Sequence, residues 1–311
     1  AIILIKYLGQ HYQHPSTQNT PCYRCSMIRI ILSPLGSVLK VFMKTILRIT
    51  PPASAHWVGD GFPVKNLLSL NRDALDTSPF LMLDHAGPYS FTPTHTPRGV
   101  GAHPHRGFET VTIVYAGEVS HRDSAGNSGT ISVGDVQWMT AARGVLHDEF
   151  HSKAFAEKGG MMEMAQLWVN LPARFKMSEP RYQGITAEQI PNITLPNGAG
   201  TVRVIAGEYE GTQGAAQTYS PLNMWALALH AGHSSRLSVP EGWTCLLVVL
   251  HGTVRVNGTV VVAEHIAHLS PTGQHLELTA DDNSQCLLLS GEPLNEPLAH
   301  YGPFVMNTQR E

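Results

Sequence analysis

The chain has 311 residues, of which 42% are hydrophobic and 14% are charged, and this apolar share excludes a disordered or fibrous protein. The 21 Lys and Arg and the 24 Asp and Glu leave a net charge of −3, which argues against a protein whose main task is to bind nucleic acid. Four Cys favour a reduced, cytoplasmic setting over a disulfide scaffold, whereas 17 His direct attention to metal binding.

The first 59 residues differ from the rest because they carry six basic residues and no carboxylate before Asp60. Proline and basic residues interrupt the apolar run 27–49, so it lacks the roughly 18 uncharged residues of a membrane span. We interpret residues 1–42 as an extension outside the fold, with the first strand beginning near Met43. Cys22 and Cys25 offer only half of a structural zinc site and carry little weight.

Residues 100–169 contain short β-rich runs, including ETVTIVYAGEV, GTISVGDVQWMT and MAQLWVNL. Val, Ile, Thr and Tyr at alternating positions, separated by glycines, predict strands and turns. One turn is predicted at residues 124–129, SAGNSG, and another at residues 141–144, AARG. We expect this part of the chain to form a β-meander.

A second β-rich region covers residues 222–290 and echoes the first one. VYAGEV (114–119) resembles VLHGTV (249–254), and GDVQWM (134–139) has a looser counterpart in AEHIAHL (263–269). This repetition is consistent with two copies of one β-barrel. The intervening segment 172–200 contains four prolines and is predicted to be the linker, with a short helix near residues 187–190.

Two histidine clusters flank the predicted meander. In a strand, residues i and i+2 face the same side, which groups His103 with His105 and His147 with Glu149. Glu109 and His151 could belong to the same faces and remain alternatives. The competing interpretation is that such pairs decorate a strand and hydrogen-bond to neighbours, but two pairs around one meander favour a metal site.

The predicted ligand set indicates which metal chemistry to expect. Two or three imidazoles and one carboxylate, with coordination positions left open, suit divalent non-haem iron or a similar first-row metal. A structural zinc site would prefer four closed ligands, usually with thiolates. Glu149 could bind the metal or accept a proton from a substrate hydroxyl. The pairs His230/His233 and His265/His268 are spaced three apart, and no metal is expected there.

Several long motifs resemble the pirin family in order and spacing. They are DHAGP (84–88), HPHRGFETVT (103–112), HRDSAGNSG (121–129), GDVQWMTAARGVLHDE (134–149), QLWVNLP (166–172) and GEPLNEPLAHYGPFVMNT (291–308). The resemblance implies an all-β bicupin, with two antiparallel jelly-roll barrels. The first barrel (43–175) would bind the metal, and the second (176–311) would lack one.

The resemblance also implies a ligand set and an activity. The ligands would be His103, His105, His147 and Glu149, whereas Glu109 would support them without binding the metal. The implied activity is a quercetin 2,3-dioxygenase that uses O2 and one divalent transition metal, with Fe²⁺ as the favoured ion and Glu149 as the catalytic residue. The partners would be a flavonol-like substrate and O2, without nucleic acid or membrane. The alternative is a metal- or redox-sensing regulator that binds a transcriptional or metabolic partner protein.

Overall fold

The computed structural model describes residues 42–73 and 76–311. The predicted extension, apart from its last residue, and the Cys22–Cys25 pair therefore lie outside the described residues. Within the described part of the chain, no helix is both long enough and apolar enough to cross a bilayer.

The first half of the described chain consists mainly of eleven strands. They are β1 (Ile46–Thr50), β2 (His56–Val58), β3 (Phe62–Leu68), β4 (Phe80–Phe91), β5 (Gly99–His105), β6 (Phe108–Ala116), β7 (Val119–Asp123), β8 (Ser128–Ile131), β9 (Val136–Thr140), β10 (Val145–His151) and β11 (Gly160–Asn170). Two short helices, α1 (Leu70–Asp73) and α2 (Lys153–Lys158), interrupt them. The predicted turns at residues 124–129 and 141–144 connect β7 to β8 and β9 to β10.

The second half of the described chain also consists mainly of strands. Its strands are β12 (Arg181–Ile185), β13 (Asn192–Thr194), β14 (Gly200–Ala206), β15 (Glu208–Tyr209), β16 (Thr212–Gln213), β17 (Leu222–Leu229), β18 (Ser234–Ser238), β19 (Thr244–His251), β20 (Thr253–Val256), β21 (Thr259–Val262), β22 (His265–Leu269), β23 (His275–Ala280), β24 (Ser284–Gly291), β25 (Ala299–Tyr301) and β26 (Phe304–Met306). Short 3-10 turns occupy Ala173–Phe175, Ala187–Gln189 and Pro196–Gly198. The helix predicted near residues 187–190 is the second of these turns.

The strands form two barrels with the same architecture, which confirms the all-β bicupin prediction. The first barrel combines the sheets β12-β9-β6-β11-β4-β3-β2 and β5-β10-β7-β8, and the second combines β1-β22-β19-β24-β17-β14-β13 and β18-β23-β20-β21. The two orders correspond strand for strand, so β6 corresponds to β19 and β9 to β22. Gly117 and Gly252, in the two echoing motifs, both adopt a positive φ (86° and 80°) where β6 and β19 end.

Each barrel also includes a strand from across the predicted boundary at 175/176. β1 pairs with β22 in the second barrel, and β12 pairs with β9 in the first. The predicted linker 172–200 therefore contains a strand of each barrel. Pairing of this kind protects the hydrogen-bonding edges of β9 and β22, but it joins residues far apart in sequence, so local patterns cannot reveal it.

Hydrophobic side chains fill the contact between the two barrels and the interior of the second barrel, which leaves the interior of the first barrel for a site. The two seven-stranded sheets pack face to face through residues such as Ile113 and Leu287. The interior of the second barrel is filled by apolar residues, among them Leu237, Leu276 and Leu278. These lie on β18 and β23, the counterparts of β5 and β10, which carry histidines in the first barrel. The corresponding space in the second barrel is thus occupied by leucine side chains.

The stability of the second barrel is expected to depend on pH through His268. Burial, followed by the charge of Arg48, lowers the pKa of His268 to about 4, and its Nε2 atom lies 2.9 Å from the Thr50 hydroxyl of β1. Because the unfolded chain binds this proton near pH 6.5, the stabilisation is complete above that pH and is lost as the pH falls through 4. Relative to His268→Gln, the free energy of unfolding of the wild type should fall by up to about 3 kcal/mol across this range. Urea unfolding of both proteins in the presence of a metal chelator would measure this difference in the free energy of unfolding. Parallel pH profiles of the two proteins would contradict the prediction.

Candidate functional site

The pairing of β5 with β10 places the predicted histidines together. His103 lies directly opposite His147 in the antiparallel register, and the register shifts between His147 and Glu149. The ring centroid of His103 lies 4.9 Å from that of His105 and 4.3 Å from that of His147. The centroids of His105 and His147 are 4.8 Å apart. One ring nitrogen from each side chain falls within 4.8 Å of the other two. This spacing allows all three to contact one ion.

The hydrogen bonds of these rings leave nitrogen atoms free to bind a ligand. The Nδ1 atom of His103 lies 2.9 Å from the Gly101 carbonyl, to which it donates, so Nε2 keeps its lone pair. Nδ1 of His105 and Nε2 of His147 are buried and have no hydrogen-bond partner within the described residues. Buried polar atoms without partners cost free energy. A metal ion at this position would satisfy such atoms, so the residues present fit a metal.

The electrostatic environment keeps His105 and His147 neutral. Burial, together with the neighbouring His147 and His103, lowers the pKa of His105 to about 2. Burial, together with His103 and His121, lowers the pKa of His147 to about 3. Neutral imidazole is the form that binds metals, so both rings are ready to act as ligands at neutral pH.

Glu149 faces the same space but stands outside the tight group of three nitrogen atoms. The Nε2 atom of Gln166 donates hydrogen bonds to both of its carboxylate oxygens, at 3.2 and 3.0 Å. Gln166 also lies 3.3 Å from the Thr112 hydroxyl. Its amide therefore fixes the direction of the Glu149 carboxylate. The sequence interpretation missed Gln166, although a polar residue within the apolar run MAQLWVNL was a signal for it.

A further pair of side chains, also missed, supports His147 from β7. The Nδ1 atom of His121 lies 3.3 Å from Nδ1 of His147, and its Nε2 atom lies 3.5 Å from Asp123. The charge of Asp123, which is close to Nε2 of His121 but makes no hydrogen bond to it, favours the proton on that atom, so that Nδ1 of His121 accepts from Nδ1 of His147. This chain leaves the lone pair of His147 on Nε2, the usual arrangement for a metal-binding histidine.

The two alternative residues take other roles. Glu109 accepts a 2.7 Å hydrogen bond from the Thr140 hydroxyl, and burial raises its pKa to about 7. Within the described residues, no hydrogen bond joins Glu109 to the three histidines. His151 lies on β10, where its Nε2 atom is 2.9 Å from the Gly61 carbonyl and its ring packs against Phe62. Neither residue joins the group formed by His103, His105 and His147.

The site opens into a cavity of about 400 Å³ inside the first barrel, a volume typical of small-molecule sites. Five of the lining residues are polar or charged, and the other nine are apolar. The lining consists of Val58, Phe62, Val64, Met82, Asp84, Ala86, Val100, His103, His105, Glu149, Met164, Gln166, Trp168 and Pro303. Trp168 thus forms part of the wall. Pro303 comes from the C-terminal segment, which Lys176 ties to the first barrel through the Gly107 and Val305 carbonyls at 2.7 and 3.0 Å.

Comparisons with known proteins agree with this architecture. A profile described as Pirin matches residues 61–169, and a profile described as Pirin C-terminal cupin domain matches residues 224–311. A Pseudomonas aeruginosa protein named "Putative quercetin 2,3-dioxygenase" is 54% identical and aligns over 86% of this chain and 94% of its own length. A pirin-like protein of Solanum lycopersicum is 37% identical, over 90% and 91% of the two chains.

Solved structures give the same result. A quercetin 2,3-dioxygenase from Acinetobacter baumannii is 55% identical, with a TM-score of 0.85 over 86% of this chain and 93% of that one. A bacterial pirin from Escherichia coli in complex with nickel(II) is 18% identical, with a TM-score of 0.62 over 79% and 99%, and shares the fold.

Proposed function

This chain belongs to the pirin family, and we propose that it is a metal-dependent oxidoreductase of the quercetin 2,3-dioxygenase type. The reaction would open the ring of a flavonol with O2 and release carbon monoxide. The observation that carries the proposal is the meeting of three imidazoles, with one carboxylate nearby, at a mostly apolar cavity. The names of the Pseudomonas aeruginosa and Acinetobacter baumannii relatives support the substrate class.

The metal would be held by His103, His105, His147 and Glu149, with Fe²⁺ as the proposed ion. A site made of imidazoles and a single carboxylate, without thiolates, suits a first-row divalent ion with open positions. Such an ion would supply a Lewis acid for the ionised flavonol and a path for electrons to O2. Asp123 and His121 would fix the ring of His147 so that Nε2 points to the ion.

Glu149 would act as the proton acceptor of the reaction. A flavonol must lose the proton of its 3-hydroxyl group before it can donate electrons, and a carboxylate beside the metal can take this proton. Gln166 holds both oxygens of Glu149, so the amide keeps the carboxylate directed at the cavity.

The cavity wall would position the substrate and exclude water. A flavonol is flat and largely aromatic, and Phe62, Met164 and Trp168 present apolar surface to such a molecule. The ring of Trp168 packs on Phe108 at a centroid distance of 4.2 Å, which holds the indole in place. Fixed positioning of two reactants can supply much of the rate of a reaction. We also propose a cytoplasmic location, which suits the unpaired, buried thiols of Cys245 and Cys286.

Aerobic incubation of the iron-loaded full-length protein with quercetin tests this function. We expect catalytic loss of the flavonol absorbance, with one O2 consumed and one carbon monoxide released for each quercetin. Metal-free protein prepared with a chelator is the control and should be inactive. Absence of turnover with iron, nickel, manganese and cobalt would contradict the proposed enzymatic function. A metal-dependent interaction with a protein partner, seen alongside that absence, would favour the regulator.

A further inference from the structure

A second group of metal-binding side chains lies at the rim of the contact between the two barrels, outside the cavity described above. His85 on β4 and Glu163 on β11 belong to the first barrel, and His251 ends β19 of the second. His85 follows Asp84, and because neighbouring residues of a strand face opposite sides, Asp84 lines the cavity while His85 faces the second barrel. We propose that this group binds a second divalent transition-metal ion, of the zinc type, that joins the two barrels.

The geometry of the three side chains suits a shared ion. One ligand atom from each lies within 4.8 Å of the other two. The Nε2 atom of His85 is 2.9 Å from Oε1 of Glu163, and the Nε2 atom of His251 contacts the same oxygen. Two imidazoles and one carboxylate form a donor set that zinc accepts, with the fourth position left to water. The side chains of His85 and Glu163 are 0% and 10% exposed, but that of His251 is 39% exposed, so an ion can enter beside it.

The second ring nitrogen of His85 gives independent support. If Nε2 carries the proton and donates to Glu163, then Nδ1 holds a lone pair that is buried and lacks a hydrogen-bond partner within the described residues. The Glu264 carboxylate lies 3.7 Å from Nδ1, so a lone pair on Nδ1 would face an anion. With a metal on Nε2, the proton moves to Nδ1 and points toward Glu264.

Glu264 is itself held in place for this role. Lys65 Nζ donates to both of its carboxylate oxygens, at 2.8 and 2.6 Å. A carboxylate that accepts the second N–H of a metal-binding histidine is a common feature of metal sites, because it fixes the ring and its tautomer. His85, Glu264 and Lys65 would form such a chain. Lys65 lies on β3 of the first barrel, and Glu264 lies between β21 and β22 of the second, so the chain crosses the same contact.

The charge state of Glu163 agrees with metal binding. Burial raises the pKa of Glu163, but the hydrogen bonds from His85 and His251 outweigh burial and leave the pKa below its usual value. The carboxylate is therefore ionised at neutral pH and available to a cation. Zinc bound there would connect β4 and β11 to β19, so its removal would weaken the contact between the barrels.

The number of zinc ions bound by the full-length protein tests the proposal. Metal-free protein is incubated with zinc, desalted and analysed by elemental analysis. We expect two ions per chain in the wild type and in the control variant His233→Ala, whose histidine lies on the exposed surface of the second barrel. We expect one ion in His251→Ala and one in His103→Ala, which removes a proposed ligand of the first site. The double variant should bind none.

A second readout separates metal binding from a hydrogen-bonded cluster. Zinc should raise the melting temperature of His103→Ala but not that of His103→Ala/His251→Ala. Glu163→Gln preserves the shape of the side chain and replaces His251→Ala in the test if His251→Ala disturbs folding. It should also bind one zinc ion fewer than the wild type. Equal zinc content in the wild type, His251→Ala and Glu163→Gln would overturn the proposal, and the cluster would then be a metal-free clamp. This outcome leaves the proposed oxygenase untouched, because His103→Ala reports on that site separately.

Discussion

His103→Ala is expected to abolish iron binding in the first barrel and to lower the rate of quercetin oxidation at least about 1,000-fold. A bound metal stabilises the transition state by several kcal/mol, and each 1.36 kcal/mol changes the rate about tenfold. His103 is one of only three imidazoles whose nitrogen atoms meet in that cavity among the described residues. It is also the least buried of the three, so its removal leaves no large void in the barrel.

Three measurements on the same preparation check this result. Iron content is determined by elemental analysis, turnover by loss of quercetin absorbance, and folding by circular dichroism and thermal melting. His233→Ala is the matched control, because it removes an exposed histidine whose Nδ1 atom lies 2.9 Å from the Ala231 carbonyl of the second barrel. A folded His103→Ala protein that still binds iron and turns over quercetin would show that the chemistry takes place elsewhere.

The sequence predicted the composition of this site because strand alternation is a local property. His103 and His105 share a face, as do His147 and Glu149, and neither statement requires knowledge of the fold. Strand alternation does not show that β5 pairs with β10, and it is this pairing that sets His103 opposite His147. Alternation also does not predict the register shift between His147 and Glu149, where β5 contributes one extra residue while β10 keeps a regular register with β7.

What the sequence did not reveal depends on contacts between distant segments. Gln166 and His121 reach the site from β11 and β7, and only contacts with other strands show what each of them does there. His85, Glu163 and His251 are separated by up to 166 positions along the chain and meet only because two sheets pack face to face. The exchange of β1 and β12 between the barrels has the same origin, because strand pairing across the boundary leaves no mark on the residues that pair.

Glu149→Gln separates the two roles of the carboxylate. If Glu149 accepts the substrate proton, we expect kcat to fall about 100- to 10,000-fold, the usual contribution of general base catalysis. Glutamine preserves the size of the side chain, and its carbonyl oxygen can still accept a hydrogen bond from Gln166. The three imidazoles should therefore retain iron, in contrast to His103→Ala, so the loss would lie in the chemical step.

Glu109→Gln is the matched control for this experiment. Glu109 is also a buried carboxylate of the first barrel, with a pKa raised by burial to about 7, but its oxygen accepts from Thr140 and takes no part in the proposed reaction. This variant should keep kcat close to that of the wild type. Full activity of iron-loaded Glu149→Gln would contradict the proposed base, whereas loss of iron together with activity would show that Glu149 acts mainly as a ligand of the ion. Parallel measurement of bound iron and kcat distinguishes these outcomes, because a base acts on the substrate proton and a ligand acts on the affinity for the ion.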